Sequence, residues 1–404
     1  MTNTAELADY EWLAGSEAAE MLADLAGRDE PLHVAVARLR RTLSQARAHL
    51  ALEQVELRRR AEAKFDRAAE MFFTRLGLEQ ATDQWVARHK AQRFADRGPV
   101  ADLCCGIGGD LLALAAVVPT TGVDRDPIAT CLATANAGVT GLSITLHNSE
   151  VQNFDACGFA WHLDPDRRPD GNRTTSLDWS SPSIESVEHL RAVAPNAAIK
   201  LAPAADVPTN WTDRCELEWI SRDRQCRQLV AWHGALADRP GQRRATVLSL
   251  DGRVARMLIG QPEQPMPFTP QFDRFLFEPD PAVLAARLTG TLANEHGLSA
   301  VSAGIAYLTG PTASDDPALA CFEVSDVLPL DLRQIAGHLR EQNVGRLEIK
   351  KRGVEHDPAT VRKQLHLQGD DSATLLLTKL GGKHVAVVAR RIRQNETKAH
   401  ATCV

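Results

Sequence analysis

The run Asp102-Leu-Cys-Cys-Gly106-Ile-Gly108-Gly109-Asp110, set directly before the apolar stretch 111–117, is the tightest constraint in the chain. An apolar run leads into it and a helical pattern leads out, so the spacing predicts a strand that turns sharply into a helix. Glycine suits such a turn because it lacks a Cβ and tolerates positive φ, which lets a ligand lie against bare backbone.

The surroundings of the turn agree with it. Between about 96 and 260, short apolar runs at 100–104, 121–124, 143–146, 159–163, 197–201, 215–219 and 245–250 alternate with helical stretches. Strand and helix in alternation predict a doubly wound α/β sheet, whose ligands bind at the carboxyl ends of the strands. Residues 1–92 read as an N-terminal helical domain, with Val36, Leu39 and Leu43 recurring three and four apart. A dense apolar patch from Ala68 to Leu76 extends that helical reading. The sheet domain is expected over 93–262. Residues 263–319, opening with four prolines between 262 and 270, read as a linker with connecting elements, and 320–396 as a small α+β module.

A chain of 404 residues exceeds what one core supports, so several domains are expected. No apolar run approaches the roughly 20 residues of a membrane helix, and the start lacks a secretory pattern. The expectation is a cytoplasmic protein with no membrane partner. Eight cysteines include no C-x-x-C pair, and Cys104-Cys105 fall inside an apolar run, so reduced, buried thiols and no metal are expected. A net charge of −6 does not advertise a nucleic-acid binder. Basic residues nevertheless cluster: Arg38, Arg40, Arg41, Arg47, Arg58, Arg59, Arg60, Lys64 and Arg67 on the helices, then Arg346, Lys350, Lys351 and Arg352 in a C-terminal loop. The first set reads as a solvated face or a phosphate-facing one. The second has the density to track a phosphate backbone.

Two cofactor classes compete for the glycine turn. A dinucleotide fingerprint needs a third glycine or alanine where Leu111 stands, and fails. Asp102, at the end of the first strand, can instead hold the ammonium of a methionine moiety. About 20 residues on, Asp124 in Gly-Val-Asp-Arg-Asp-Pro can accept both ribose hydroxyls; Asp126 is explained by its Asp-Pro turn. Together they point to S-adenosylmethionine, with Cys104, Gly106 and Gly108 as the backbone cradle and Glu150 as a candidate for the adenine amino group. On the substrate side, Asp164 and the Pro165 carbonyl can accept hydrogen bonds from an amine. Arg167 and Arg168 can hold a phosphate or stack on a base.

These residues carry a resemblance. Asp102 to Asp110, Gly122 to Pro127 and Asp164-Pro165 resemble class I, Rossmann-like methyltransferases. Within that class they are most similar to RNA methyltransferases of the trimethylguanosine synthase group. Phe322-Glu-Val-Ser-Asp-Val-Leu-Pro, Val344-Gly-Arg-Leu-Glu-Ile-Lys-Lys-Arg-Gly-Val354 and Leu380-Gly-Gly-Lys-His resemble the THUMP-like domain of bacterial methyltransferases. The resemblance implies an S-adenosylmethionine-dependent methyltransferase acting on RNA, with Asp164, Pro165 and Arg167 at the reaction centre and Arg168 among the RNA contacts. Two departures bear on the target atom. Asp166 and Arg167 replace the proline and aromatic usual in amine-methylating enzymes, and 199–203 lacks the cysteine of 5-methyluridine enzymes. A small-molecule or protein methyltransferase and a catalytically silent RNA-binding scaffold remain the alternatives.

Overall fold

The computed structural model describes residues 4–165 and 181–392. Contacts divide the chain into two units. One comprises Met1–Leu217, Gln228–Gly241 and Leu250–Arg253; the other comprises Glu218–Arg227, Gln242–Ser249 and Val254–Val404.

The first unit opens with α1 (Thr4–Ala14), α2 (Ser16–Gly27), α3 (Leu32–Leu39), α4 (Gln45–Ala61), α5 (Arg75–Gln80) and α6 (Gln84–Ala91). Side-chain oxygens start three of them: Ser44 accepts from Arg47 N, Thr74 from Gly77 N and Asp83 from Val86 N. Ala48, Ala51 and Val55 of α4 pack on Leu13, Leu22, Leu25 and Leu39. The apolar patch 68–76 departs from the helical expectation, because the chain passes through turns and an extended stretch before α5 begins. Its backbone groups are met from outside. Gln54, fully buried, donates to Met71 O (3.1 Å) and accepts from Phe73 N (3.1 Å), while Asn136 accepts from Phe72 N and donates to Phe72 O. The freed side chains Ala68, Met71 and Phe73 then join Leu57, Ile107 and Leu132 in one core. Gln54→Leu strands the Phe73 amide, while Met71 O keeps Arg58 Nε at 2.9 Å, and urea unfolding should show a loss of about 2 kcal/mol. A change below roughly 0.5 kcal/mol would mean water replaces the amide.

The sheet contains β1 (Val100–Leu103), β2 (Thr120–Asp124), β3 (Thr145–Asn148), β4 (Ala160–Leu163), β5 (Ala197–Leu201), β6 (Glu216–Arg222), β7 (Gln225–Trp232), β8 (Arg243–Leu248) and β9 (Val254–Gly260). Their order is β3-β2-β1-β4-β5-β7-β6-β8-β9. Strands β1 to β5 are parallel and β7 runs antiparallel to β5. The connecting helices are α7 (Leu111–Ala115), α8 (Pro127–Thr140), α9 (Ile184–Val193) and α10 (Thr209–Thr212). The order reverses direction at β1, with β2 on one side and β4 on the other, and such a switch point opens a crevice at the strands' carboxyl ends. The expected Rossmann-like doubly wound sheet is therefore present.

In the second unit, β10 (Phe275–Pro279), β11 (Ser299–Ala300), β12 (Leu308–Gly310), β13 (Leu319–Pro329), β14 (Val344–Lys351), β15 (Asp371–Leu380) and β16 (Lys383–Ile392) form a sheet of order β11-β12-β10-β13-β16-β15-β14. Helices α11 (Pro281–Ala285), α12 (Thr289–His296), α13 (Leu332–Glu341) and α14 (Pro358–Leu365) accompany it. Along β15, Leu375 and Leu377 face α13 and α14, while Leu376 packs with Phe322 and Tyr307 on the opposite face. Residues 263–319, expected as a linker, thus supply three strands to this sheet. Their proline-rich opening hid the short apolar run of β10, which pairs with β13 from Phe275↔Glu323 to Pro279↔Leu319. The basic C-terminal stretch is also not a loop: Arg346, Lys350 and Lys351 lie on β14, where Leu347 and Ile349 alternate toward the core and a register shift between 344 and 346 brings Val344 to the same side.

Candidate functional site

The glycine turn begins where β1 ends. Cys104 adopts φ +60°, Gly106 φ +54° and Gly108 φ +98°. A left-handed residue with a Cβ costs about 1–2 kcal/mol, so Cys104 is held there by its surroundings. The two following glycines serve different ends. A Cβ on Gly106 would meet nothing within 4 Å, whereas one on Gly109 would lie 3.1 Å from both the backbone N and O of Thr82. Gly106 thus faces open space, and Gly109 admits the chain between α5 and α6. Burial pushes the Cys104 thiol well up, with Asp124, Asp164 and Asp102 adding to the effect. Three of the four carboxylates expected at the site, all but Glu150, therefore act on one residue, whose sulfur stays protonated.

Asp124 closes the turn. Its Oδ2 accepts from Gly106 N (2.8 Å) and its Oδ1 from Asp126 N (2.9 Å), which offsets part of the upward push that burial gives its carboxyl. Its carbonyl accepts from Asn148 Nδ2 and Ser149 N at 3.0 Å each, tying β3 to β2. Asp126 caps α8 by accepting from Ile128 N, which is the turn role expected of it. Glu150 precedes a short 3-10 turn at Val151–Asn153 and gives that turn no side-chain cap.

Asp164 follows β4, its amide bonded to Leu103 O at 3.3 Å, and its carboxylate forms a very short ion pair with Lys200 of β5. Pro165 beside it is buried. Arg167 and Arg168 lie outside the described residues.

Lys200 opens a chain of polar contacts that the sequence reading did not find. Its ammonium donates to Thr82 Oγ1 (3.1 Å), which donates to Asp110 Oδ2 (2.7 Å). Asp110 Oδ1 pairs with Lys90 Nζ at 2.7 Å. Lys90 also contacts His162 Nε2 (3.1 Å) and Gln228 Oε1 (3.0 Å), and His162 Nδ1 lies 2.7 Å from Asp102 Oδ1. Lys90, His162 and Asp102 are each 1% exposed. Burial alone would raise the Asp110 carboxyl, yet Lys90, His162 and Lys200 hold it below the usual range. At Asp102 burial wins over His162, and the carboxyl is raised. Asp102 Oδ2 is buried without a hydrogen-bond partner.

The residues present fit a ligand that brings an ammonium and a ribose. The unpartnered Asp102 oxygen is suited to a cation. Asp124 retains acceptor capacity beyond its two backbone bonds. Gly106, whose amide Asp124 holds, presents bare backbone with nothing within 4 Å of where a Cβ would stand.

In the second unit, the basic residues singled out are largely engaged. Lys350 Nζ and Arg352 Nη2 reach Glu278 at 2.7 and 3.1 Å. Burial would raise the Glu278 carboxyl, but Lys350, Arg352 and Arg224 hold it down. Arg346 donates to Asp370 O (2.7 Å), and Lys351 is exposed. On the N-terminal helices, Arg58 lies over Phe72, Lys64 donates to the carbonyls of Leu78, Glu79 and Ala81, and Arg38, Arg47 and Arg67 pair with acids. Arg40, Arg41 and Arg59 are exposed. Among the described residues no helix is long and apolar enough to cross a membrane, and no three His, Cys, Asp or Glu side chains gather as metal ligands.

Comparison with known proteins adds to this geometry. Residues 319–391 match the family model described as THUMP domain-like. Two proteins of Mycobacterium tuberculosis, from strains CDC 1551 / Oshkosh and ATCC 25618 / H37Rv, are each described as an uncharacterized S-adenosylmethionine-dependent methyltransferase. Each is 31% identical over 344 residues, spanning 83% of this chain and 94% of its own length. A crystal structure from Porphyromonas gingivalis W83, provisionally assigned as a methyltransferase, covers 97% of this chain and 100% of its own. Its TM-score is 0.75 at 20% identity, which shows a shared fold.

Proposed function

The chain belongs to the S-adenosylmethionine-dependent methyltransferases and carries a C-terminal THUMP-like domain, and from that premise we propose that it methylates RNA, on a base or exocyclic nitrogen. The observation that carries the reading is the cluster of Asp102, Asp124 and Asp164 around Cys104 at the β1/β4 switch point. On this reading they are a cation-binding carboxylate, a diol-binding carboxylate and an amine acceptor. The likeness of the glycine turn to the trimethylguanosine synthase group, and the THUMP-like domain itself, support a nucleic-acid substrate by analogy.

Each residue has a task on this reading. Gly106 and Gly108 give the cofactor bare backbone, and Cys104 opens the turn ahead of them. Asp124 accepts the ribose hydroxyls, Asp102 the methionine ammonium, and Glu150 the adenine amino group. When bound there, S-adenosylmethionine supplies a methyl group on a cationic sulfur that is already electrophilic. The protein's remaining work is alignment and proton handling. Lys200 occupies Asp164 Oδ2, so Oδ1 accepts the N–H of the target amine, together with the Pro165 carbonyl. Arg167 and Arg168 hold the neighbouring base or phosphate. Arg346, Lys350, Lys351 and Arg352 run along the RNA backbone, with Lys351 best disposed because it is exposed.

The test is transfer of tritium from methyl-labelled cofactor to cell extract separated into RNA, protein and metabolites. Label is expected in RNA. Label confined to protein or metabolites would reject the substrate class, and no label anywhere would favour a silent scaffold.

A further inference from the structure

Lys90 is a lysine whose ammonium has been taken almost wholly out of water, at a place no substrate reaches directly. Its surroundings define what it does. An ammonium has three N–H donors and no acceptor. Around Lys90 Nζ stand three acceptors: Asp110 Oδ1 at 2.7 Å, Gln228 Oε1 at 3.0 Å and His162 Nε2 at 3.1 Å. An N–H of Lys90 aimed at His162 requires a lone pair on Nε2, so the imidazole proton must sit on Nδ1. Nδ1 is the nitrogen 2.7 Å from Asp102 Oδ1. The other charged group facing the ring is Asp110, whose Oδ2 is 3.8 Å from Nε2 and already accepts from Thr82. It would favour an imidazolium, but a protonated Nε2 would then lie 3.1 Å from a cation. The nearer contact decides.

We propose that Lys90 is a positioning residue that locks His162 as the neutral Nδ1–H tautomer, so that Asp102 stays anionic and turns its unpartnered oxygen to the cofactor's ammonium. With His162 neutral, the chain of contacts holds Asp102, Asp110 and Asp164 against only two cations, Lys90 and Lys200. One negative charge is left uncompensated: Asp110 Oδ1 and Asp102 Oδ2 are both buried without a hydrogen bond, but Asp110 Oδ1 has the Lys90 ammonium 2.7 Å away, whereas Asp102 Oδ2 forms no ion pair among the described residues. An arriving ammonium completes the balance. An imidazolium at 162 would compensate Asp102 from behind and weaken that attraction. The device rests on the assignment of Asp102 to the cofactor's ammonium.

Calorimetry with S-adenosylhomocysteine, which keeps the ammonium, tests it on the full chain at about pH 6 and about pH 8, the span over which an imidazole ordinarily titrates. Wild type should bind with little change between the two. Lys90→Met frees Nε2 to take a proton, and its affinity should fall about tenfold more at the lower pH. Lys90→Arg, again a pure donor, should restore the flat profile. Adding His162→Asn to Lys90→Met, which leaves a donor to Asp102 but nothing to titrate, should also flatten it. A flat profile for Lys90→Met overturns the proposal. If instead Asp102→Asn leaves affinity unchanged, the assignment beneath it falls, and the two failures are distinct. Should Lys90→Met not fold, nitrogen-15 imidazole shifts of wild type, with His162 identified by its loss in His162→Asn, decide alone. A neutral Nδ1–H ring is expected, and an Nε2–H or cationic ring is fatal.

Discussion

Replacing Asp124 by alanine should weaken S-adenosylhomocysteine binding by about 100-fold, or roughly 3 kcal/mol. Two losses add. The ribose hydroxyls lose a charged acceptor, and the amides of Gly106 and Asp126 lose the carboxylate that fixes the turn. Asp124→Asn separates the two, because its amide oxygen can still accept from Gly106 N while its NH2 cannot accept from Asp126 N. It should fall between wild type and Asp124→Ala. Calorimetry on the three proteins measures this directly, and equal affinities would show that the ribose lies elsewhere.

Asp164→Asn should leave that affinity within about twofold yet lower kcat on the labelled RNA by about 10²–10³. Asparagine retains an oxygen for Lys200, so the ion pair becomes a charged hydrogen bond and the β4–β5 contact survives. What disappears is the negative charge that the proposed function assigns to the target amine. Single-turnover tritium transfer under saturating cofactor reads the chemical step. An unchanged rate would remove Asp164 from the reaction, and a parallel collapse of cofactor affinity would assign it to binding.

What the sequence disclosed follows the range of the interactions. Gly106, Gly108, Asp124 and Asp126 act within one turn and the strand beside it, so their spacing alone located the turn that follows β1. Lys90 is different: it is 72 residues from His162 and 138 from Gln228, and no local pattern joins them. A signal existed at Lys200, a cation in the otherwise apolar run Ala197–Leu201, because a charge on a buried strand implies a partner. The β6–β7 hairpin stayed hidden for another reason. Its turn places Asp223 at φ +53° and Arg224 at φ +52°, where Asn-Gly would have announced it. The segment 68–76 shows apolar density without helix, since Gln54 and Asn136 satisfy the backbone from a distance.

The approach of Thr82 to Gly109 reaches beyond packing. Thr82 is also the hinge pin between Lys200 and Asp110. A chain trimmed to start at β1 would therefore lose the segment packed on Gly109 along with two links of its buried wiring, Thr82 and Lys90. The helical preface and the catalytic sheet are one inheritance: a graft of the sheet into another protein would have to carry residues 74–91 with it.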